Sequence, residues 1–408
     1  MGSDFRRYWI GEALSNLGTR TGSIAYPLLA LELTHSPALA GVLGFVRWAP
    51  WFVLALPAGA IVDRIDRRRL MIACSLGAAL VLGSVVAALA SDHLTYAHLL
   101  VAAAAEGIFA VLFTIAEVGA VRHLVAEDDL PKALAQNTAR VSAAWLVGPP
   151  LGGVLYAVQR FLPFLVDSAS YVASAVALVS IRRPFHEARE ARPWSVGSHV
   201  AEIREGIAWV WRHDFVRTST MLVGGTNFIS NAVALLMIVV VRQQGGSAPE
   251  IGFMMSCAAA GSLGGAVAAN WLHRVTSPRT IAVAYPWLAA AAALVLAFGL
   301  PPLAMGCVYG AWIFFGPTWD AVVGGRRVLL TPDALQGRAS SVIGLVAAGA
   351  VALGPLVGGV LATWLSGSQA FLCLAVFGIA IAIAGTAARS LAEFDPQPRA
   401  ALAEERGT

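Results

Sequence analysis

The sequence predicts an all-α polytopic membrane protein with twelve transmembrane helices in two pseudo-symmetric six-helix halves. Composition is the first observation: 58% of the 408 residues are hydrophobic, 13% are charged, and the mean hydropathy is +0.71. A chain of this composition cannot present a mostly charged surface to water. The other two observations are a motif that occurs once in each half of the chain and a one-sided distribution of basic residues.

Apolar runs of about 20 residues, the length that crosses a bilayer, predict the spans. They cover residues 8–32, 37–62, 70–91, 97–121, 138–158, 162–181, 216–241, 250–272, 280–299, 302–325, 339–364 and 369–389. The predicted halves are therefore 1–181 and 216–389, separated by a cytoplasmic loop at 182–215. Helical spacing of apolar residues over 200–211 predicts an amphipathic helix on the inner membrane face. The charged, Pro-containing tail at 390–408 is expected to be disordered.

The repeated motif lies in the fifth and eleventh spans. Proline removes one intrahelical hydrogen bond and glycine lets a facing backbone come close, so each copy predicts a bent, tightly packed helix where the halves can rock. Two related halves around a central site is the arrangement that such a repeat implies. The motif residues are Gly148, Pro149, Gly152 and Gly153 in the first copy and Gly354, Pro355, Gly358 and Gly359 in the second.

Basic residues are distributed unevenly between the two sides of the predicted membrane. Of the 28, all but four are assigned to the termini, the central loop or the loops on the same side as these, with Arg140 and Arg217, which fall in the first three residues of their spans, counted with the adjacent loops. Arg160 and Arg242 fall on the opposite side, and Arg20 and Arg47 lie within spans. The positive-inside rule therefore places both termini and the central loop in the cytoplasm. The same bias explains the net charge of +4, which does not indicate nucleic-acid binding.

The loop after the second span combines acidic and basic residues at a membrane edge. It reads Gly59-Ala60-Ile61-Val62-Asp63-Arg64-Ile65-Asp66-Arg67-Arg68-Arg69. This order resembles the major facilitator superfamily signature Gly-x-x-x-Asp-Arg-x-Gly-Arg-Arg, with matches at Gly59, Asp63, Arg64, Arg67 and Arg68. The resemblance implies that Asp63 braces the inward-closed contact between the halves. Asp66 replaces the usual glycine, and we expect little effect because Asp tolerates left-handed turns.

The Gly-Pro motif is similar to the fifth-helix signature of the exporters of this superfamily, Gly-x-x-x-Gly-Pro-x-x-Gly-Gly, with Ala144 in place of the first glycine. The resemblance covers essentially the whole chain and points to the branch of macrolide-efflux and enterobactin-exporter-like proteins. One departure is in the fourth span, where Glu106 and Gly107 stand near the place of the Arg signature tied to proton coupling in many exporters. This departure leaves the coupling mechanism open.

Ionisable residues inside spans are functional candidates by default because burying them in a membrane is costly. Glu106 is the leading candidate proton carrier and Asp167 the second, although structural ion pairs, such as one between Glu106 and Arg20, would give the same pattern. Arg47 is spaced for a cation–π contact with Trp51. The predicted cavity residues are Glu12, Asn16, Arg20, Arg47, Glu106, Asp167, Asn227 and Asn231, with Trp145, Trp312 and Trp319 as aromatic surfaces.

The predicted function is secondary active export of a small amphipathic compound, such as a drug, antibiotic or siderophore-like metabolite, across a bacterial plasma membrane. We expect proton-driven antiport by alternating access, in a monomer embedded in the lipid bilayer. An uptake symporter of the same fold is the main alternative, and a membrane enzyme or a non-transporting sensor are two others. The sequence contains no nucleotide-binding Gly-x-x-x-x-Gly-Lys motif and no Cys-x-x-Cys pair, so we expect no ATP, cofactor or metal.

Overall fold

The computed structural model describes residues 2–62, 65–125, 127–181 and 196–392, and these are helical with no strand among them. The first group of helices is α1 (Ser3–Thr34), α2 (Pro37–Val62), α3 (Arg67–Ala90), α4 (Tyr96–Leu124), α5 (Leu130–Val158) and α6 (Leu162–Ser180). The second group is α7 (Val196–Arg212), α8 (Asp214–Gln243), α9 (Ala248–Val275), α10 (Pro278–Leu296), α11 (Pro302–Ile313), α12 (Gly316–Leu330), α13 (Gln336–Trp364), α14 (Gly367–Ala387) and α15 (Arg389–Ala392).

Ten of these helices are long and apolar enough to cross a membrane. The two other predicted spans correspond to α1 and to a segment that the structure divides into α11 and α12. The division falls at Phe314 and Phe315, immediately before Gly316 and Pro317. Pro317 lacks a backbone N–H, so it ends one hydrogen-bonded helix and is accommodated in the first turn of the next. The predicted span at 302–325 is therefore interrupted.

Helix packing repeats between the halves. In the first half, α1 packs on α5 and α6, and α3 packs on α6; in the second, α8 packs on α13 and α14, and α10 packs on α14. These pairs correspond when α1 is matched with α8, α3 with α10, α5 with α13 and α6 with α14. The halves meet mainly where α2 packs on α13 and α5 packs on α9. These two contacts correspond to each other when α2 is matched with α9 and α5 with α13.

The glycines of the repeated motif lie at close contacts between helices. A Cβ atom added to Gly152 would overlap the carbonyl oxygen of Thr21 on α1, inside the first half. A Cβ atom added to Gly153 would instead overlap the carbonyl oxygen of Ala248, in the first turn of α9 and thus in the other half. One glycine of the pair thus serves packing within a half, and its neighbour serves packing between halves.

The second motif copy divides its two glycines in the same way. A Cβ on Gly358 would lie 2.8 Å from the oxygen of Ala232 on α8, within the second half, whereas Gly359 faces Pro37 and Gly41 of α2 in the first half. Gly153 thus contacts the start of α9 and Gly359 the start of α2. Both contacts lie on the side of the bundle where α1 and α8 end, which we call the distal end. The distal end is closed in this structure.

The central and terminal segments are partly described. The segment predicted to form an amphipathic helix lies in α7, which packs on α13; Val210 is buried and Ile207 is exposed. Residues 182–195 and 393–408 lie outside the described residues. Residues 390–392, the first of the predicted tail, lie in α15, where Leu391 is buried.

Candidate functional site

A cavity of about 190 Å³ lies inside the first half. Its walls come from α1, α2, α3 and α4, with Tyr171 contributed by α6. The charged and amide residues that line it are Glu12, Asn16, Arg20, Arg47, Glu106 and Glu117, and its aromatic residues are Trp48, Trp51, Phe109, Phe113 and Tyr171. Five of the predicted cavity residues therefore do lie on one cavity.

Glu106 and Arg47 form an ion pair between α4 and α2. Arg47 Nη2 donates to Glu106 Oε1 at 2.7 Å, and only 2% of the Glu106 side chain is exposed. Tyr26 donates a further hydrogen bond to Glu106 Oε2 at 2.5 Å, and its ring lies 5.0 Å from the Arg47 guanidinium carbon. Glu106 is thus paired with Arg47 rather than Arg20, and Arg47 lies over Tyr26 rather than Trp51. A buried carboxylate held in this way is already compensated in its charged form.

Asp167 on α6 is fully buried but less completely paired. Its Oδ1 accepts a hydrogen bond from Thr19 on α1 at 3.2 Å, whereas its Oδ2 has no hydrogen-bond partner among the described residues. Gly22 makes room for this carboxylate, because a Cβ there would lie 2.7 Å from Oδ2. Leaving one oxygen of a buried carboxylate without a partner is energetically costly.

A hydroxyl relay joins Asp167 to Glu106. The Thr19 hydroxyl that can donate to Asp167 also lies 3.0 Å from the Tyr171 hydroxyl, and Tyr171 donates to Glu106 Oε1 at 3.5 Å. Thr19 has one proton, so it donates to Asp167 or to Tyr171 at any moment. The two carboxylates are therefore linked through two hydroxyl groups.

A second polar cluster was missed in part by sequence reasoning. Glu12 accepts a hydrogen bond from Ser174 at 2.6 Å, and Glu117 is paired with Arg140 of α5 at 3.1 Å and accepts another from Tyr8. Arg140 was assigned to the basic side of the membrane, but the structure buries it, with 4% of its side chain exposed. Its position eight residues before Gly148 offers no signal of this pairing.

Arg20 and Trp145 contact each other across α1 and α5. The guanidinium carbon of Arg20 lies 3.7 Å from the centre of the Trp145 ring, a cation–π geometry. Asn16 uses its side chain within its own helix, where it donates to the Glu12 carbonyl at 2.7 Å. Arg20 therefore presents a positively charged, stacked group at the cavity wall.

The predicted residues of the second half are not gathered at this cavity. Trp312 and Trp319 are both buried; Trp319 stacks on Tyr285 at 5.3 Å and donates to the Ala282 carbonyl at 3.1 Å. Asn231 donates to the Asn227 carbonyl one turn earlier at 2.9 Å. Placing these two tryptophans on an open cavity wall is corrected: the structure packs them in the core, where their large rings fill space between helices.

The charged loop is described only in part, because Asp63 and Arg64 lie outside the described residues. Gly59 is within α2. Asp66 caps α3 by accepting from the Arg69 N–H at 2.8 Å, and its φ of −56° shows that the left-handed geometry we expected is not used. Arg68 donates to the Leu178 and Val179 carbonyls at the end of α6, and the Arg67 guanidinium lies against Gly119 of α4. Arg67 and Arg68 thus bind neighbouring helices of their own half.

Comparison with known proteins agrees with this architecture. The transporter family described as "Transmembrane secretion effector" matches residues 2–405. The chain belongs to this family of the major facilitator superfamily. The family and its named relatives are transporters rather than enzymes, so this chain is a multi-pass membrane transporter, and its bacterial relatives indicate a plasma membrane.

Three bacterial relatives are similar in sequence. The chain is 25% identical over 396 residues to "Uncharacterized MFS-type transporter YfiS" of Bacillus subtilis, covering 94% of this chain and 92% of the relative. It is 26% identical over 415 residues to "Multidrug efflux pump Tap" of Mycobacterium tuberculosis, covering 94% and 93%. It is also 24% identical over 191 residues to "Macrolide efflux protein A" of Streptococcus pyogenes, covering 44% and 45%.

The fold also matches solved transporters. A bacterial homologue of the human lysosomal transporter Spinster, in an inward-facing and unoccupied conformation, superposes with a TM-score of 0.74 at 12% identity, covering 97% of this chain and 98% of that one. At this identity the likeness concerns the fold alone. The all-helical major facilitator architecture predicted from the sequence is confirmed.

Proposed function

We propose that this transporter exports a small amphipathic compound from the bacterial cytoplasm by proton-driven antiport and alternating access. Transport of the major facilitator type follows from the family, and the direction, substrate and coupling ion constitute the proposal. The relatives named as a multidrug efflux pump and a macrolide efflux protein support export. The proposed orientation has both termini in the cytoplasm, as the basic residues indicate, so that the closed distal end faces outward. We propose that the working unit is a monomer.

The observation that carries the coupling proposal is the relay from Asp167 through Thr19 and Tyr171 to Glu106. Glu106 is compensated by Arg47 and Tyr26, whereas one oxygen of Asp167 has no partner among the described residues. We therefore rank Asp167 first as the proton carrier. We assign Glu106 the role of anchoring the other end of the relay and responding to the charge on the relay. This reverses the order suggested by the sequence.

The substrate proposal follows from the size and lining of the cavity. Pockets for drug-sized ligands measure about 300–1,000 Å³, so the cavity of about 190 Å³ accommodates one polar or aromatic end of such a molecule. The remainder would extend between the halves. Trp48, Trp51 and Phe109 supply apolar area, and the Arg20 and Glu106 groups supply polar contacts. This combination suits an amphipathic compound.

Proteoliposomes with an imposed pH gradient test the coupling. The probe is a labelled macrolide, together with compounds identified by a susceptibility screen in an efflux-deficient host. We expect Asp167→Asn to abolish uphill transport while downhill exchange persists, because the amide cannot release a proton. Ser168→Ala is the matched control, since the Ser168 hydroxyl donates to the Ala79 carbonyl outside the relay. Uphill transport by Asp167→Asn with unchanged dependence on the pH gradient would exclude Asp167 as carrier.

Two further measurements separate the alternatives. Glu106→Gln tests the order predicted from the sequence: loss of gradient dependence in this variant, with Asp167→Asn unaffected, would return the carrier role to Glu106. Cells with and without the protein test direction through the accumulation of the labelled probe. Lower accumulation supports export, and higher accumulation would replace it with the uptake symporter.

A further inference from the structure

Three charged side chains converge at the distal end of the bundle. Arg160 and Arg242 are the two basic residues that the sequence places opposite all the other loop and terminal basic residues. In the structure both guanidinium groups contact the same carboxylate. Arg242 Nη2 lies 2.9 Å from Glu32 Oε1, and Arg160 Nε lies 3.1 Å from Glu32 Oε2. We call these three residues the Glu32 triad.

Of the two ion pairs in the triad, one crosses between the halves. Glu32 lies near the end of α1 and Arg242 near the end of α8, the first long helices of their respective halves. Arg160 lies in the connection between α5 and α6, in the same half as Glu32. The Glu32–Arg242 pair must therefore break if the distal ends of the halves separate, whereas the Glu32–Arg160 pair can persist.

The surroundings of the triad make this break reversible. The triad borders a cavity of about 460 Å³ that also includes His35 and Gln243. Exposed side-chain fractions are 22% for Glu32, 30% for Arg242 and 67% for Arg160, so water reaches part of each side chain, although Glu32 Oε2 itself is buried and accepts no hydrogen bond from the described residues. Partly hydrated ion pairs are much weaker than buried ones because each charge is resolvated on separation. Arg242 is also anchored by donating to the Gly246 carbonyl at 3.3 Å.

We propose that the Glu32–Arg242 pair is a latch that stabilises the distal-closed state, and that Arg160 is a second partner of Glu32 that stays with it in both states. The proposal rests on the rocking of the two halves in the proposed function. When the halves separate, Glu32 keeps Arg160 as a partner and Arg242 enters water, so opening loses one ion pair rather than two. The neighbouring glycine contacts of Gly153 and Gly359 supply the close packing that the latch holds together.

Distance measurements between the halves test the latch without a substrate. Spin labels are attached at Ser91, in the distal connection after α3, and at Phe298, in the distal connection after α10, both of which are exposed. The background replaces the four native cysteines, Cys74, Cys257, Cys307 and Cys373, with Ala or Ser. Pulsed electron–electron double resonance then measures the distance between the two labels, and the distance distribution gives the ratio of distal-open to distal-closed molecules. No substrate or pH gradient is present, so this result is independent of export and of proton coupling.

Removal of either latch partner should shift the population. We expect Glu32→Gln and Arg242→Gln each to raise the open-to-closed ratio about fivefold, the effect of losing one partly exposed ion pair. Arg160→Gln is the matched control, because it removes a guanidinium from the same carboxylate without removing a contact between the halves. We expect it to change the ratio less than twofold, given the exposure of Arg160.

A charge exchange keeps the test decisive if a single variant fails to fold. In an Arg160→Gln background, Glu32→Arg combined with Arg242→Glu should restore the closed state, because the pair is re-formed with reversed polarity. Glu32→Arg alone in that background should open the distal end by like-charge repulsion. An unchanged ratio in Glu32→Gln, an equal rise in Arg160→Gln, or failure of the exchanged pair to restore closure would each overturn the latch.

Discussion

In the first half, the fourth span buries Glu106 against Arg47 and Tyr26, whereas in the second half the corresponding span buries Trp312 against Tyr285 and Tyr309. The helix packing of the halves is nevertheless matched, and both motif copies place one glycine within a half and one between halves. The two halves therefore share their close helix contacts but differ in the kind of side chains that they bury. Charge is concentrated in one half, and the other presents aromatic packing.

The largest expected effect tests whether the first half depends on charge pairing. Glu106→Ala leaves Arg47, whose side chain is only 17% exposed, without its partner carboxylate, which should lower the free energy of unfolding by about 3 kcal/mol. Adding Arg47→Met should recover most of this loss, since an apolar replacement of a buried ion pair is often neutral. The thermal midpoints of the two variants in detergent, monitored by size-exclusion chromatography, measure the loss and its recovery. If the double variant is no more stable than Glu106→Ala, charge is not what distinguishes this half.

An intermediate effect tests the feature that the halves share. Gly152→Leu and Gly358→Leu each force a side chain into a contact within one half, and should cost about 1–3 kcal/mol of stability. Gly153→Leu and Gly359→Leu insert the same side chain between halves. These two variants should keep near-normal thermal midpoints but hold the distal end open and stop transport. Equal destabilisation by Gly152→Leu and Gly153→Leu would remove the distinction between the two kinds of glycine.

The smallest effect concerns the aromatic half. Trp319→Phe keeps a ring against Tyr285 but removes the hydrogen bond to the Ala282 carbonyl. We expect a loss of about 1 kcal/mol, with transport retained because Trp319 lies in the core. Loss of transport at an unchanged thermal midpoint would show that this half also contributes chemistry. Trp364→Phe is the control, since the Trp364 side chain is 83% exposed.

Several features could be predicted from the sequence because they depend on short stretches of chain. Apolar runs determine which segments form membrane helices, and Gly148-Pro149 and Gly354-Pro355 identify the repeated contact. The interruption between α11 and α12 was missed although Gly316-Pro317 is a local signal for it. Placing Trp312 on a cavity failed for a different reason, since spacing within a helix does not tell which neighbour a face meets.

The sequence by itself determined the class of protein, its repeat and several of the polar residues that are buried, since hydropathy and backbone restrictions act locally. Only the tertiary structure decided which of those residues pair. Arg47 and Glu106 are 59 positions apart, and Arg242 and Glu32 are 210 apart. Helical spacing fixes which side chains share a face of one helix, but not how that helix is rotated against its neighbours. That rotation is set by packing around the close glycine contacts, and it brings Glu32 to Arg242 and leaves one oxygen of Asp167 unpaired.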